Sequence, residues 1–551
     1  MVEIYLENSN QRIEVEQGTR LYDMADKYLS GSSNPVLGAL VNNEIRDLDY
    51  KVYNPKCIRF FDITTVWGYR MYLGSMCFML YKAVKDLYPA ATLYIEHSMP
   101  NGMFFRVVGV DADNDKVALE LKGYMLKMVA DNIPFGTRYM LSQDALQELS
   151  GVGNMSTYRL VEDSNQLYCH INNLGDAVHK IYSKTVPSTG YLKVWDIRVY
   201  NDGYLLQMPL RQQPQMLTSY YDTPRLFKIF REHREWKNLL QTLYVTDLND
   251  KVRSGDDNYL IQVAEALHEK KYSFIADEVY KRKDRLKMVL IAGPSSSGKT
   301  TSCRRIGVQL SVMGFDVQQL SLDDYFVDRD KTPRMPNGDY DFEALEALDI
   351  AKLNDDLMAM SQGKEVVLPR YDFITGKSMP SDHSIKMNNN SILIVEGIHA
   401  LNPKLTEQIP EEWKYRVYVS AMTQIAIDNQ NIIHSSDNRL IRRMVRDYNF
   451  RGYSALDTLK RWDSVRAGEQ KHIFPYQENA DVMFNSALMY EWGILKKYAQ
   501  PLLENVPENV PEHAEARRLL DLINLFEPIS DKHIPPTSIM REFLGESSFV
   551  Y

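Results

Sequence analysis

Cysteine is scarce, with four in 551 residues (Cys57, Cys77, Cys169 and Cys303) and no CxxC pair. That excludes a disulfide framework and a zinc knuckle and predicts a reduced, intracellular setting. Long hydrophobic runs are also lacking. The longest, around Met71–Val84, is interrupted by Lys82 and is too short to span a bilayer. No secretory leader is read either, since MVEIYLENSNQRIEVE alternates apolar and polar residues as a strand does. The expected location is therefore the cytoplasm, with no membrane partner. Positive charge is not in excess: 64 Lys and Arg stand against 73 Asp and Glu, a net −9, which argues against a general nucleic-acid coat protein. Internal repeats and low-complexity tracts are missing too.

What remains is an ordinary globular composition, 44% hydrophobic and 25% charged. Its length calls for three or four domains. Residues 1–63 read as a small mixed domain with strands at Val2–Leu6 and Arg12–Val15, a helix at Leu21–Tyr28 and a hairpin through Val41-Asn42-Asn43-Glu44. Residues 64–210 read as α+β, with a helix over Tyr69–Leu87 and short strands such as Leu192–Val199 and Leu205–Met208. The 211–285 stretch is charged and helical, a connector in which Lys281-Arg282-Lys283 is a solvated helix end. Over 286–500, apolar runs (Val289–Ala292, Val317–Leu320, Ile392–Val395, Tyr415–Val419) alternate with helical segments, the signature of a parallel sheet with crossover helices. A helical tail, 501–551, closes the chain around Glu512–Leu525.

The sharpest signal is Gly293-Pro294-Ser295-Ser296-Ser297-Gly298-Lys299-Thr300, a full GxxxxGK[ST] match after a strand and before the helical stretch beginning at Thr301. Backbone N–H groups of such a loop curl around phosphate while the helix N-terminus adds positive potential. Lys299 is placed to reach the β- and γ-phosphates, and the Thr300 hydroxyl to ligate Mg²⁺. The next strand runs into Ser321-Leu322-Asp323-Asp324-Tyr325-Phe326, with its carboxylates at the sheet edge where ligands of open α/β sheets bind. A carboxylate there accepts a proton from an attacking hydroxyl or holds hydrated Mg²⁺. A second strand ends in Val395-Glu396-Gly397, with Glu396 placed for the metal shell. Finally Arg439, Arg442, Arg443 and Arg446 recur at helical spacing, followed by Arg451-Gly452, and read as a cationic lid over the transferring phosphoryl group.

Together these motifs, over about Lys287–Leu488, resemble the uridine kinase/phosphoribulokinase family of P-loop kinases. The family's SQDSFY segment aligns with Ser321–Phe326, which implies Asp323 as general base. Its FDHP segment is matched at Tyr340-Asp341, implying that Asp341 holds ribose hydroxyls. PxYDF is matched by Pro369-Arg370-Tyr371-Asp372-Phe373, whose aromatics Tyr371 and Phe373 would stack on a base. FEGI is matched by Val395–Ile398, and the DxRLxRRxxRDxxxRG lid by Asp437–Gly452. The resemblance thus implies catalytic Lys299, Asp323, Arg446 and Arg451; ATP contacts from Gly293 to Thr301; Arg443 at the substrate; and Mg²⁺ at Thr300, Asp323 and Glu396. Thr375-Gly376-Lys377 and Tyr453 depart from the family where the pyrimidine edge would be read. The front half is similar to threonyl-tRNA synthetases: 1–63 to their TGS β-grasp domain, and 64–210 to their editing-type domain. In the latter, Gly74 and Phe78 stand where metal-binding histidines belong, and His170 and His179 lack the spacing to replace them.

The expected activity is ATP-dependent phosphorylation of a nucleoside 5′-hydroxyl. Alternatives are a kinase of a non-nucleoside such as a phosphorylated sugar, and a regulator whose front half senses RNA or a nucleotide effector. Homo-oligomerisation is left open.

Overall fold

Five parallel strands form the sheet that carries the phosphate loop. In spatial order they are Asp316–Ser321, Ser391–Glu396, Met288–Ala292, Lys414–Ser420 and Val482–Asn485. Strands of this kind are buried on both faces, so their sequences are near-continuous apolar runs. Val289 and Ile291 point to one face, where helices Asp257–Tyr280 and Lys299–Val312 cover them. Met288, Leu290 and Ala292 point to the other, against Leu353 and Leu357 of helix Ile350–Ser361. The chain leaves Met288–Ala292 toward one edge, then returns and continues toward the other. That reversal opens a crevice at the carboxyl ends of the central strands. The computed structural model describes residues 1–550 apart from Ser30, Asn101, Pro336, Asn337, Asp339, Phe373 and Ile374.

The front half has its own cores. A five-stranded mixed sheet, in the order Gln11–Val15, Val2–Leu6, Lys56–Phe61, Gly38–Val41 and Glu44–Asp47, encloses helix Leu21–Leu29. Its turn at Asn42 and Asn43 has φ of +49° and +63°, the left-handed pair that a two-residue hairpin requires. Helix Val66–Leu87 follows, starting earlier than its apolar pattern suggests because the Thr65 side chain caps it. The helix packs against a four-stranded antiparallel sheet (Asp196–Tyr200, Gly203–Gln207, Gly102–Val108, Thr92–Met99) and a three-stranded one ending in Ala177–His179. The 211–285 stretch differs at its start from the helical expectation, since Gln213–Leu217 pairs with Pro209–Leu210. So short a ribbon leaves no periodic signature. Helices Pro224–Leu240, Val245–Ser254 and Asp257–Tyr280 complete it.

A buried ionic network ties the front half to the rest. Arg518 of helix His513–Ile523 makes two 2.9 Å bonds to Asp437 in the first turn of helix Ser435–Arg451, and two, of 2.7 and 3.1 Å, to Glu515. Arg70 of helix Val66–Leu87 donates to the same Glu515 at 3.0 Å and lies 3.6 Å from Asp437. Burial alone would raise both carboxyls, but Arg518 and Arg70 outweigh it and hold Asp437 and Glu515 below the ordinary carboxylate range. Groups with depressed folded-state pKa contribute stability above their unfolded values and lose it on acidification. The thermal midpoint is therefore expected to fall as pH drops below about 4. Glu515→Gln should cost about 3 kcal/mol at neutral pH and flatten the acid limb; an unchanged limb in calorimetry would show that this network does not set it.

Candidate active site

The loop from Gly293 to Thr300 closes on itself because nothing larger than glycine fits at its start. A Cβ on Gly293 would stand 1.9 Å from the Val419 carbonyl. Helix Lys299–Val312 begins at the loop's last residues, capped at Gly298, so its first-turn N–H groups face the crevice. The hydroxyls of Ser296 and Ser297, 3% and 0% exposed, are buried without a hydrogen-bond partner among the described residues. Orphaned donors beside a helix N-terminus fit a phosphate chain. Lys299 Nζ rests on the Pro294 carbonyl at 3.3 Å, and Thr300 Oγ1 donates to Glu396 Oε1 at 3.0 Å.

Two strand ends bring the carboxylates together. Leu322 fills the space where a Cβ on Gly397 would lie, 2.5 Å from the Leu322 Cβ. The Glu-Gly sequence after Ser391–Glu396 thus lets the Ser321–Tyr325 turn approach. Asp323 then lies on the floor of the crevice, solvent-accessible yet crowded by protein. Desolvation raises its carboxyl pKa, offset by Lys299, Arg451 and Arg446. Desolvation also pushes Glu396 up to about 7, with Lys299 opposing and Asp323 and Glu542 reinforcing. The Thr300 hydroxyl and these carboxylates form an oxygen-only donor set. Three-carboxylate clusters of a dedicated metal cage do not occur among the described residues. Magnesium held jointly by a P-loop hydroxyl, a carboxylate and substrate phosphates needs no such cage, so the residues fit it.

The arginine-rich helix divides its residues between two tasks, which corrects the single cationic face expected from spacing. Arg439 and Arg442 are 2% and 0% exposed and belong to the core. Arg439 pairs with Glu469 and donates to the Ser295 carbonyl at 3.0 Å; Arg442 bonds Glu491 at 2.6 Å and the Ser486 carbonyl at 2.8 Å. At 3.6 residues per turn all four arginines fall within about 100° of one face, so position along the helix axis, not flank, separates 439 and 442 from 446. Arg443, Arg446 and Arg451 share the buried Asp447 at 3.2, 2.8 and 3.6 Å. Arg443 also donates to Ser295 Oγ at 2.7 Å, on the P-loop side of the crevice.

On the acceptor side the structure departs from one expectation. Tyr371 is 4% exposed, its ring packed 5.4 Å from that of Phe326, and offers no free face to a base. Its place in hairpin Glu365–Asp372 and Lys377–Lys386 turns it inward, as strand alternation dictates. Phe373 lies outside the described residues. Asp341 pairs with Lys471 at 3.9 Å. Two residues on, Glu343 is the carboxylate that senses the site. Desolvation and Glu469 push it up to about 7, against Arg443 and Lys299. Sequence spacing missed Glu343, Glu469 and Asp447, and also Glu542. The last accepts hydrogen bonds from the Thr301 N–H (3.2 Å) and hydroxyl (2.6 Å), while Ile539 lies against Gly298. No local motif marks Glu542, 241 residues away from Thr301. In the front half, His179 is buried within hydrogen-bond distance of Asn154, Thr157 and Asn431.

Comparison with known proteins agrees with this geometry. The family described as "Phosphoribulokinase / Uridine kinase family" matches residues 288–489. A uridine kinase of Schizosaccharomyces pombe is 30% identical over 197 residues, covering 35% of this chain and 37% of that protein. A Staphylococcus aureus uridine kinase is 29% identical over 194 residues, 35% of this chain and 84% of its own. A threonine–tRNA ligase of Clostridium kluyveri is 24% identical over 194 residues, covering 35% of this chain and 30% of the ligase. The chain thus spans about a third of the length of the first of these relatives and of the ligase. No helix among the described residues is long and apolar enough to cross a membrane. Residues 288–489 form a P-loop kinase domain of the phosphoribulokinase/uridine kinase family.

Proposed function

We propose that the protein transfers the γ-phosphoryl group of ATP to a hydroxyl of a nucleoside. The observation that carries this reading is the convergence on one crevice of Lys299, Asp323, Arg446 and Arg451, beside buried, unpartnered P-loop hydroxyls. Asp323 accepts the proton of the acceptor hydroxyl as its oxygen bonds to the γ-phosphorus. The bond to the bridging oxygen of ADP breaks, and Lys299 holds the charge left on the β-phosphate. A carboxyl raised by desolvation is a stronger base for this step than an exposed one. Arg446 and Arg451 offset charge on the phosphoryl oxygens. Bound Mg²⁺ would neutralise phosphate charge, with Thr300 and Glu396 placed to hold it. Uridine kinase relatives favour a nucleoside over a phosphorylated sugar as acceptor. The altered Thr375-Gly376-Lys377 and Tyr453, together with the burial of Tyr371, leave base readout different from the family pattern. For the front half, the mixed sheet around one helix supports a TGS-like β-grasp reading, and the threonine–tRNA ligase relative supports an editing-type origin.

An ATP-consumption screen against uridine, cytidine, purine nucleosides and sugar phosphates tests the acceptor class. Turnover with sugar phosphates alone would overturn it. Asp323→Asn should lose at least about a hundredfold in kcat, the scale of general-base removal, with nucleotide Kd changed by less than about threefold. Glu542 occupies first-turn donors of the P-loop helix that a nucleotide phosphate would use. Glu542→Ala should therefore tighten nucleotide binding by about tenfold, the scale of one charge-assisted hydrogen bond. Unchanged affinity in calorimetry would show that the carboxylate does not compete.

A further inference from the structure

Helices Pro224–Leu240 and Asp257–Tyr280 do not pack flush against the edge strand Val482–Asn485. Between them lies a cavity of about 600 Å³, within the range of sites that hold nucleotide-sized molecules. It is separate from the P-loop crevice: in sheet order Val482–Asn485 is two strands from Met288–Ala292, about 10 Å across.

Its walls have an uneven charge balance. Each lining carboxylate is already paired, Glu232 with Lys271 (3.0 Å), Glu278 with Lys281 (2.6 Å) and Asp481 with Arg282 (3.4 Å). Lys228 and Lys270 also line it and have no ion pair or hydrogen bond among the described residues. Aromatic surface accompanies the charge. Trp236 follows Lys228 at two steps of four on one helix, and Phe274, 47% exposed, follows Lys270 at one step on the other. At the back, His268 is 5% exposed, packs edge-on against Phe484 at 5.0 Å and meets the Ala487 backbone. Unneutralised cations beside the half-buried Trp236, and beside Phe274 with Lys271 over one face of its ring at 5.5 Å, call for a ligand that is both anionic and aromatic.

We infer that this cavity is a second, non-catalytic site for a mononucleotide, with Lys228 and Lys270 on its phosphates and Trp236 or Phe274 against its base. The inference is independent of the acceptor assigned to the kinase crevice. Its wall continues into Ser486, whose hydroxyl donates to the Ser297 carbonyl of the P-loop and whose own carbonyl accepts from Arg442. Occupancy here therefore bears on a residue that supports the phosphate loop.

Equilibrium dialysis of the full chain with radiolabelled ATP and, separately, UTP tests it. Two equivalents per chain are expected for at least one nucleotide. Lys299→Ala should remove only the P-loop equivalent. The double variant Lys228→Glu/Lys270→Glu, both exposed side chains, should remove only the other, weakening it at least tenfold with an unchanged melting curve. In the Lys299→Ala background, nucleotide should quench tryptophan emission, and Trp236→Phe should abolish the quench. A single equivalent that vanishes in Lys299→Ala would overturn the proposal. So would a second equivalent that survives the lysine substitutions, or lysine-dependent binding of a short single-stranded RNA without binding of either nucleotide.

Discussion

The Arg439–Glu469 pair holds the phosphate loop in shape. Both side chains are almost wholly buried, and the Ser295 peptide lies between them, its N–H donating to Glu469 at 3.2 Å and its carbonyl accepting from Arg439 at 3.0 Å. Buried charges persist only when they are paired and hydrogen-bonded, so neither partner is free to leave. Ser295 is therefore fixed by two helices distant in sequence, Ser435–Arg451 and Ala455–His472. Arg442 repeats the arrangement one turn on, with Glu491 and Ser486. The first turns of the arginine-rich helix are thus anchored. Arg451, 52% exposed in its side chain, stands at the end where the helix is least constrained.

That anchoring shapes the electrostatics of the crevice. Asp323, Glu396 and Glu343 converge where surrounding protein desolvates charge, and each has a carboxyl pushed upward. Lys299 and the arginines around Asp447 oppose the shift without cancelling it. A site with competing carboxylates and orphaned hydroxyls is incomplete by itself, and a phosphate chain with its cation supplies the missing charges. Glu542 shows the same demand met from within, since a carboxylate from the tail occupies first-turn donors of the P-loop helix.

The front half is joined to the helix that bears the arginines. Asp437 opens that helix and is held by Arg518 and approached by Arg70, so three segments far apart in the chain meet on one carboxylate. Movement of the front half relative to this helix would strain a network with little water to replace its bonds.

Local chemistry determined much of this protein. A strand, a glycine-rich loop and a helix must follow one another at 288–312 because buried β residues, a close backbone approach at Gly293 and a helix N-terminus leave no other solution. Asp323, Lys299, Thr300 and Glu396 were legible because they sit at strand ends and loop positions that the parallel sheet places together. Tertiary structure alone decided which arginines are core and which stay near the crevice, since spacing along a helix does not reveal which turns meet Glu469 or Glu491. It likewise decided that Tyr371 is buried, that Glu343 stands among the charged cluster, and that a tail carboxylate reaches the P-loop. These outcomes depend on contacts between residues tens to hundreds of positions apart, and no periodicity within one segment encodes them.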